Sequence, residues 1–579
     1  MPSSEISQRQ ITTFIAPFDG CGRESLLPAL LAAQRRFAHI PEAVAVRIAH
    51  ALGVPLVEVH GVIEFYSLLT TQPTGRTVVR VCTSPACSMA GAHETLRAAL
   101  KTLHVKEGQL SSDGRFSVER APCLGLCEHA PAMLVGERPV AQAHASRIGT
   151  ILKGGGARPR GRVFGHTRWL TDRCGVVDPA SLREFRAREG FKGLQRALSL
   201  TPQQVIAEVK AAGLIGKGGA AFPTGVKWEG AANASGAPKY IVCNGDESEP
   251  GTFKDRVLME EDPFSIVEAM IIAGYAVGAT RGIWYIRGEY PRALAAARTA
   301  VAAARRAKYL GPNVQGKGFE FELEVRSGAG AYVCGEETAL FEAVEGKRGL
   351  PRIKPPFPTT FGVFGKPTVI NNVETLCTVP VILRLGVEKY RSLGTPGSPG
   401  TKLFCVSGDV ARPGLYELPF GATLRELLFD HAGGMAGGRA LQAVLMGGAA
   451  GAFATTEKLD VRLTFEDMKT AGLPLGSGVV MVFDERRDMR HVLVELGEFF
   501  AEESCGKCYP CQIGTQRQLE VLQRVAHGSP MRGDAERLQD VGWTMTDASI
   551  CGLGQTAASA VLSAMRLWPA LFELQSQAA

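Results

Sequence analysis

The clearest chemical signal in the sequence is a group of cysteines near the carboxyl terminus. Cys505, Cys508 and Cys511 form a C-x2-C-x2-C run, and Cys551 follows further along the chain. Three thiolates at this spacing can wrap one side of a cuboidal cluster, each binding a different iron, while the fourth arrives from elsewhere in the fold. Zinc ligands come more often as separate C-x2-C pairs, because tetrahedral geometry disfavours three ligands in one tight turn. The spacing therefore favours a 4Fe-4S cluster over a structural zinc site.

A second group of four cysteines lies in the first quarter of the chain. Cys82 and Cys87 form one pair, Cys123 and Cys127 form another, and each pair follows a predicted strand. Two pairs of thiolates match the two irons of a 2Fe-2S cluster, and zinc remains the alternative. The other six cysteines are isolated, and we expect ordinary buried thiols. They are Cys21, Cys174, Cys243, Cys334, Cys377 and Cys405.

A glycine-dense stretch, 213–228, could hold a nucleotide. Successive glycines let backbone amides approach a phosphate or a flat ring closely, and Lys217 and Lys227 could supply positive charge. The stretch is neither a Walker loop nor a G-x-G-x-x-G fingerprint, so taken alone it could equally be a flexible turn.

Three further loops strengthen the nucleotide interpretation. Segment 244–252 follows a predicted strand, where ligands of open α/β sheets collect, and 328–337 is a glycine loop that opens a helix. Carboxylates in these loops could bind a divalent ion or be solvated turn residues. Segment 354–358 is a proline-rich arm with one cation and one aromatic ring, which suits a phosphate and a base.

The composition excludes several classes of protein. The chain has 579 residues, 45% of them hydrophobic and 21% charged, which is typical of globular proteins with several domains. Fourteen cysteines are too dilute for a disulfide scaffold and indicate a reducing compartment, which we expect to be the cytoplasm. A net charge of +7 is too weak for nucleic-acid binding. We find no signal peptide and no apolar run long enough to span a membrane.

A local basic stretch stands out from this even charge distribution. Its residues are Arg158, Arg160, Arg162, Arg168 and Arg173. We interpret it as a solvated linker or a patch that docks a partner subunit, in preference to a nucleic-acid site.

The elements that must position these residues fall into six segments. A helical region comes first, and a small α/β unit follows it. A glycine- and proline-containing linker over 154–162 and a lead-in segment then precede alternating strands and helices typical of βαβ units. A compact α+β module and a second helical region come last. The predicted boundaries are 1–76, 77–152, 153–200, 201–400, 401–485 and 486–579. Thr201, Pro202 and Gln204 predict a capping box at the start of one central helix.

Taken in order, these motifs closely resemble one family. It is the flavoprotein module shared by respiratory complex I, NAD-reducing hydrogenases and NAD-dependent molybdenum or tungsten formate dehydrogenases. Residues 24–152 resemble the small 2Fe-2S subunit of complex I, and 175–579 resemble its FMN-carrying, NADH-binding subunit. The resemblance implies a multidomain α/β and α+β chain. It would comprise a helical bundle, a thioredoxin-like 2Fe-2S domain, a Rossmann-like FMN and NADH domain, a ubiquitin-like module and a helical 4Fe-4S domain.

The resemblance also implies the cofactors FMN and NAD, one cluster of each type, and a set of site residues. Residues that would hold FMN are Gly216, Gly218, Lys227, Asn244, Asp246 and Asn372. Residues that would contact NAD are Phe222, Glu247, Glu249, Lys354 and Phe357. Those that would lie nearest the chemistry are Glu337, Glu249 and Tyr332. Lys217 and Ala221 depart from the family, which usually has arginine and glycine there.

The fusion of both modules, the intact cysteine pairs and the stretch 548–555 most resemble the fused diaphorase subunit of formate dehydrogenases. This implies a hetero-oligomer with a large molybdenum- or tungsten-pterin subunit that carries further iron–sulfur clusters. The alternatives are the diaphorase subunit of an NAD-reducing hydrogenase and a complex I-like NADH dehydrogenase. A hypothesis of another class is a scaffold protein in which both cysteine groups bind zinc.

Overall fold

The structure is a computed structural model that describes residues 7–572. A helical bundle comes first, in which leucines at helix spacing, such as Leu27, Leu30 and Leu31, turn towards a shared core. Its helices are α1 Gln8–Ile15, α2 Leu26–Phe37, α3 Glu42–Leu52 and α4 Leu56–Phe65. Across residues 7–572 no single helix is long and apolar enough to cross a membrane; α3 and α4 meet that test only as a pair bent by 118°.

The small α/β unit contains a four-stranded sheet in the order β2-β1-β3-β4. Strand β1 pairs parallel with β2 and antiparallel with β3, and buried valines of β1 and β2 form its core. Its elements are β1 Thr77–Cys82, α5 Pro85–Met89, α6 Ala92–Leu103, β2 Phe116–Ala121, β3 Met133–Val135, β4 Arg138–Val140 and α7 Ile148–Leu152. The sequence predicts strands over 77–81, 116–120 and 133–135 and a helix over 92–103, and each agrees with the observed bounds to within one residue.

Segment 153–200, predicted as a linker followed by a lead-in segment, contains ordered elements after residue 162. It contains β5 Val163–Phe164, α8 Leu182–Ala187 and α9 Lys192–Ala197. Strand β5 joins a sheet formed mainly by residues more than two hundred positions later. Arg173 is 5% exposed and pairs with Asp262 at 2.9 Å. The basic stretch is therefore not one solvated patch: Arg158 and Arg160 are exposed, whereas Arg173 belongs to the interior.

The central domain is built on a parallel sheet in the order β8-β7-β6-β9. The helix α10 starts with the predicted capping box, because Thr201 Oγ1 accepts the Gln204 N–H and Gln204 Oε1 accepts the Thr201 N–H. Strand β9 was not predicted. The elements are α10 Pro202–Ala211, α11 Thr224–Asn233, β6 Tyr240–Gly245, α12 Lys254–Glu261, α13 Pro263–Val277, β7 Arg281–Ile286, α14 Pro291–Arg306, β8 Glu322–Ser327, α15 Glu337–Val344, β9 Thr368–Asn372, α16 Val373–Leu385 and α17 Val387–Arg391.

Two further units complete the chain. The first is a six-stranded sheet in the order β13-β12-β14-β10-β11-β5, and the second is a bundle whose helices α19, α20 and α21 pack against one another. The sheet unit contains β10 Thr401–Gly408, β11 Gly414–Pro419, β12 Leu441–Met446, β13 Ala452–Ala454, α18 Phe465–Thr470 and β14 Val479–Asp484. The bundle contains α19 Met489–Glu503, α20 Tyr509–Ala526, α21 Asp534–Ala548, α22 Gly552–Thr556 and α23 Ser559–Leu567.

Candidate functional site

The four cysteines of the small α/β unit come together in its interior. Cys82 ends β1, Cys87 lies in α5, and Cys123 and Cys127 lie in the loop after β2, and each is at most 4% exposed. The sulfur atoms of Cys123 and Cys127 are 3.3 Å apart. Contact with the neighbouring Cys123 and Cys87 thiols, together with burial, raises the pKa of Cys82. Four such thiols can ionise together only beside a compensating cation, so the site fits a 2Fe-2S centre.

The loop that carries Cys123 and Cys127 is fixed by the central domain. Arg256, 2% exposed, donates from Nε to the Gly125 carbonyl oxygen at 2.7 Å and pairs with Glu128. Gly125 has φ +62°, and a Cβ there would lie 1.9 Å from the Tyr290 hydroxyl oxygen. Only glycine fits this close approach. The cysteine loop and the central domain are thus interlocked.

The four carboxyl-terminal cysteines line one cavity, together with Pro351, Ser504 and Leu553. Cys505, Cys508 and Cys511 lie at or just before the start of α20, and Cys551 precedes α22. Cys508 is the N-cap of α20, so the positive end of that helix faces the site and favours anionic thiolates. Four thiols around one cavity fit the donor set of a 4Fe-4S cluster.

The glycine stretch forms a tight loop between α10 and α11. The Gly216 N–H bonds to the Phe222 carbonyl oxygen at 2.9 Å, and a Cβ on Gly218 would lie 2.9 Å from Asn372 Cβ. Ala221 adopts φ +51°, a left-handed conformation that favours glycine, the usual family residue there. The loop therefore keeps its backbone close to the end of β9, and at Gly218 a side chain would not fit.

Lys217 does not supply charge to the surface of this loop. Its side chain turns inward, where Nζ donates to Thr378 Oγ1 at 3.0 Å and to the Thr401 carbonyl oxygen at 2.8 Å. Burial lowers the pKa of Lys217 to about 8. Lys217 therefore links the loop to α16 and β10 through buried hydrogen bonds.

Lys227, Glu337 and Lys354 form a chain of opposite charges beside the glycine loop. Lys354 Nζ lies 2.7 Å from Glu337 Oε1, and Lys227 Nζ lies 3.7 Å from Glu337 Oε2. Burial raises the pKa of Glu337, but the two ammonium groups lower it by more, so its pKa lies below the ordinary value. Phe222 and Phe357 are 51% and 57% exposed, with Lys227 Nζ 5.8 Å from the Phe222 ring centre. Exposed rings next to paired charges are suited to a flat base and a phosphate.

Asn244 and Asn372 are neighbours at the carboxyl end of the central sheet. They are register partners on the parallel strands β6 and β9. The Asn244 amide donates to the Gly335 carbonyl oxygen at 2.8 Å, and the Asn372 amide donates to Asp255 at 2.6 Å. Burial raises the pKa of Asp246, the next acidic residue after Asn244, well above its ordinary value. This edge of the sheet is where open α/β folds place ligands.

Tyr332 and Glu249 form a hydrogen-bonded pair near the same edge. The Tyr332 hydroxyl donates to Glu249 Oε2 at 2.5 Å, and the Ala450 N–H of the six-stranded unit donates to Glu249 Oε1 at 2.9 Å. Burial raises the pKa of Glu249 to about 7. Sequence reasoning missed Ala450, which lies in a Gly-Gly-Ala-Ala-Gly turn typical of close backbone contact.

Glu247 is held inside the central domain. It is 6% exposed, and its carboxylate accepts the backbone N–H groups of Asp255 and Arg256 at 2.8 Å each. It therefore caps the first turn of α12. Both carboxylate oxygens therefore already accept bonds inside the protein, and the predicted contact between Glu247 and a dinucleotide stays a prediction.

Comparison with known families assigns four parts of the chain. The matches are to the thioredoxin-like 2Fe-2S ferredoxin over 11–155, the Nuo51 FMN-binding domain over 209–381, the SLBB domain over 402–482 and the NADH-ubiquinone oxidoreductase-F iron–sulfur binding region over 491–575. FMN, a 2Fe-2S cluster and a 4Fe-4S cluster are thus the cofactors of these regions, as the cysteine spacing and the family resemblance predict.

Known proteins are similar over most of the chain. The HndC component of an NADP-reducing hydrogenase from Solidesulfovibrio fructosivorans is 45% identical over 69% of this chain and 81% of its own length. One component of the NADH-quinone oxidoreductase of Escherichia coli is 47% identical over 63% of this chain and 82% of its own length. A crystal structure of an NAD+-reducing nickel–iron hydrogenase in the air-oxidised state matches with a TM-score of 0.83 and 34% identity. The match covers 95% of this chain and 94% of the hydrogenase chain.

Proposed function

This chain belongs to the family of FMN- and iron–sulfur-containing NADH dehydrogenase subunits, joined to a thioredoxin-like 2Fe-2S module, and on that premise we propose that it is the diaphorase subunit of a larger complex. It is an NAD(H)-dependent oxidoreductase. A diaphorase exchanges electrons between NAD(H) and a partner that performs a second half-reaction. The observation that carries the proposal is the presence of two four-cysteine sites in one chain, with the glycine loop between them in sequence.

When bound, FMN exchanges a hydride with NAD(H) and passes electrons singly to iron–sulfur clusters. The chain supplies binding and orientation. In the proposal, Gly216, Gly218 and Asn372 form the cradle for the flavin, since their backbones and side chains converge where the glycine loop meets β9. Asn244 and Asp246 lie at the same end of the sheet.

The proposed dinucleotide side of the cradle is formed by exposed rings and paired charges. Phe222 and Phe357 hold the adenine between them, Lys354 contacts the phosphates, and Glu337 orients both Lys354 and Lys227. Tyr332 and Glu249 keep water from the reacting faces by filling the space between the sheet and the six-stranded unit. Glu247 caps α12, and its predicted contact with the dinucleotide belongs to the same proposal.

For the partner, we propose a molybdenum- or tungsten-pterin formate dehydrogenase subunit, with the chain working in the cytoplasm. The support is the fused architecture, the intact Cys82–Cys87 and Cys123–Cys127 pairs and the stretch 548–555. An NAD-reducing hydrogenase is the second candidate. It is favoured by the likeness to the nickel–iron hydrogenase chain, which extends over 95% of this chain.

The test begins with the purified chain. Iron, flavin and visible absorption are measured, and NADH oxidation is followed with ferricyanide as the electron acceptor. We expect a brown protein with FMN, iron of both clusters and NADH:ferricyanide activity. A colourless protein that contains zinc and no flavin would contradict the proposal and support the scaffold hypothesis.

The partner is tested on the native complex purified from its source. We expect formate-dependent reduction of NAD+ and molybdenum or tungsten in the complex. Hydrogen-dependent reduction with nickel present, without formate activity, would overturn the formate dehydrogenase proposal and leave the diaphorase proposal standing.

A further inference from the structure

The loop that carries the first cysteines of the carboxyl-terminal cavity is bonded to the loop that carries Tyr332. We call residues 503–508 the cluster loop. Glu503 is the first residue of the cluster loop and the last residue of α19. It is partly buried, and its Oε2 accepts the backbone N–H of Tyr332 at 2.8 Å. Phe499, one turn earlier, meets the Tyr332 ring edge-on with 5.0 Å between ring centres. The backbone and the ring of Tyr332 are thus both held by the carboxyl-terminal bundle.

The cluster loop is also bonded to segment 351–358, which contains the proline-rich arm with Lys354. We call this longer segment the 351–358 arm. Lys507 Nζ donates to the carbonyl oxygen of Pro351 at 2.5 Å, and Pro351 lines the same cavity as the four cysteines. The next residue, Arg352, forms an ion pair with Glu342, with 2.6 Å between Arg352 Nε and Glu342 Oε1. The start of the arm is therefore fixed on two sides, three residues before Lys354.

These two bonds join the cluster loop to two separate groups of site residues. Tyr332 donates to Glu249, and Lys354 pairs with Glu337. The glycine loop, in contrast, is held by contacts with α16 and β10, and Asn372 at the end of β9 is held by Asp255 of α12. Among the hydrogen bonds within residues 7–572, none joins the glycine loop or Asn372 to the cluster loop. A shift of the cluster loop would therefore displace the residues proposed to face the dinucleotide and leave the flavin cradle in place.

We propose that Glu503 and Lys507 are positioning residues for the dinucleotide site, so that the cluster loop sets the affinity for NAD(H) through Tyr332 and the 351–358 arm. The inference rests on the proposed function, because it concerns the same site. It adds a coupling between two regions of the chain: the order of the cluster loop, which carries Cys505 and Cys508, determines how tightly the dinucleotide is held.

Glu503→Leu tests the first bond, with Glu503→Gln as the conservative variant. Leucine leaves the Tyr332 N–H without its acceptor, whereas glutamine keeps an oxygen at that position. We expect the Leu variant to bind NAD+ about tenfold more weakly by calorimetry, equivalent to about 1.4 kcal/mol. In the NADH:ferricyanide assay its KM should rise by a similar factor, with kcat changed less than about twofold and FMN content unchanged. The Gln variant should recover most of the affinity.

Lys507→Met tests the second bond, with Lys507→Arg as its conservative variant. Because Lys507 is exposed, its bond is weaker, and we expect a loss of NAD+ affinity of about threefold that arginine largely restores. Glu502→Leu is the matched control, since Glu502 is the exposed neighbour of Glu503 on the same helix and no bond joins it to Tyr332 or Pro351. It should bind NAD+ as the wild type does.

Three results would overturn the inference. They are an unchanged NAD+ affinity in Glu503→Leu and Lys507→Met, an equal loss in the Gln and Leu variants, and a parallel loss of FMN that indicates general unfolding. If Glu503→Leu does not fold, the Lys507 pair decides the question alone. A wild-type protein that binds no NAD+ would overturn the proposed function, and the inference with it.

Discussion

At the scale of single residues, Glu337 carries the most specific expectation. Its carboxylate lies between two ammonium groups, which keep it ionised at neutral pH, and each of those cations borders an exposed aromatic ring or the proline-rich arm. Glu337→Gln removes the charge that orients Lys227 and Lys354. We expect NADH:ferricyanide kcat/KM to fall about tenfold, a loss of about 1.4 kcal/mol of transition-state stabilisation. Unchanged activity would remove Glu337 from the proposed site.

Acid unfolding gives this variant a second readout. A carboxyl whose folded pKa is depressed contributes stability above its unfolded pKa of 4.5 and loses it as the pH falls through the folded value. The wild type should therefore lose this contribution below about pH 4.5, whereas Glu337→Gln should show no such loss in that window. Glu229→Gln, which alters an exposed pair with Lys210, is the control and should leave activity unchanged.

The residues show where sequence reasoning succeeds. The spacing of Cys505, Cys508 and Cys511 is local, so the sequence alone predicts that they share one site. Glu247 and Lys217 lie in motifs just as distinctive, yet both side chains turn inward. Which way a loop side chain points depends on partners such as Thr401, far away in the chain, and no local pattern contains that information.

At the scale of elements, the contact between the cysteine loop 123–128 and α12 controls the 2Fe-2S site. Arg256→Met removes the donor to the Gly125 carbonyl oxygen and leaves Glu128 buried without its cation. Breaking such a buried pair typically costs about 3–5 kcal/mol. We expect loss of the 2Fe-2S signal in electron paramagnetic resonance, with FMN and the 4Fe-4S signal retained.

Arg298→Met provides the matched control for this change. Arg298 is exposed on α14, which packs against α12, so its substitution should leave both cluster signals intact. A full 2Fe-2S signal in Arg256→Met would show that the small α/β unit orders its own cysteine loop.

Elements with strong local signals were predicted well. The capping box of α10 depends on Thr201 and Gln204, three residues apart, and the structure contains both of its bonds. Strand β5 has only two residues, and its pairing with β11 joins segments about 250 positions apart. A strand of that length has no periodicity to read, so the sequence does not predict it.

At the scale of the whole molecule, the two fused halves meet across extensive contacts. The backbone N–H groups of Ser67 and Leu68 donate to Gly330 and Ala329 at 3.0 and 2.9 Å, as strands would. The helical bundle and the central domain also share one buried hydrophobic core. Together with the Arg256 contact, these interactions hold the halves independently of the chain that joins them.

This arrangement predicts the effect of cutting the chain. Gly154 is exposed with φ +99°, and a protease site inserted after it would interrupt only the connection before β5. We expect the cleaved protein to elute as one particle in size-exclusion chromatography, to keep both clusters and to retain NADH:ferricyanide activity within about twofold, because non-covalent interfaces of this kind persist without a linker. Deletion of 157–164 is the contrasting variant. It removes β5 from the edge of the six-stranded sheet, so it should lower the melting temperature even where the cleaved protein does not. Separation of the two cleaved fragments would show instead that the covalent fusion, and not the interface, holds the halves together.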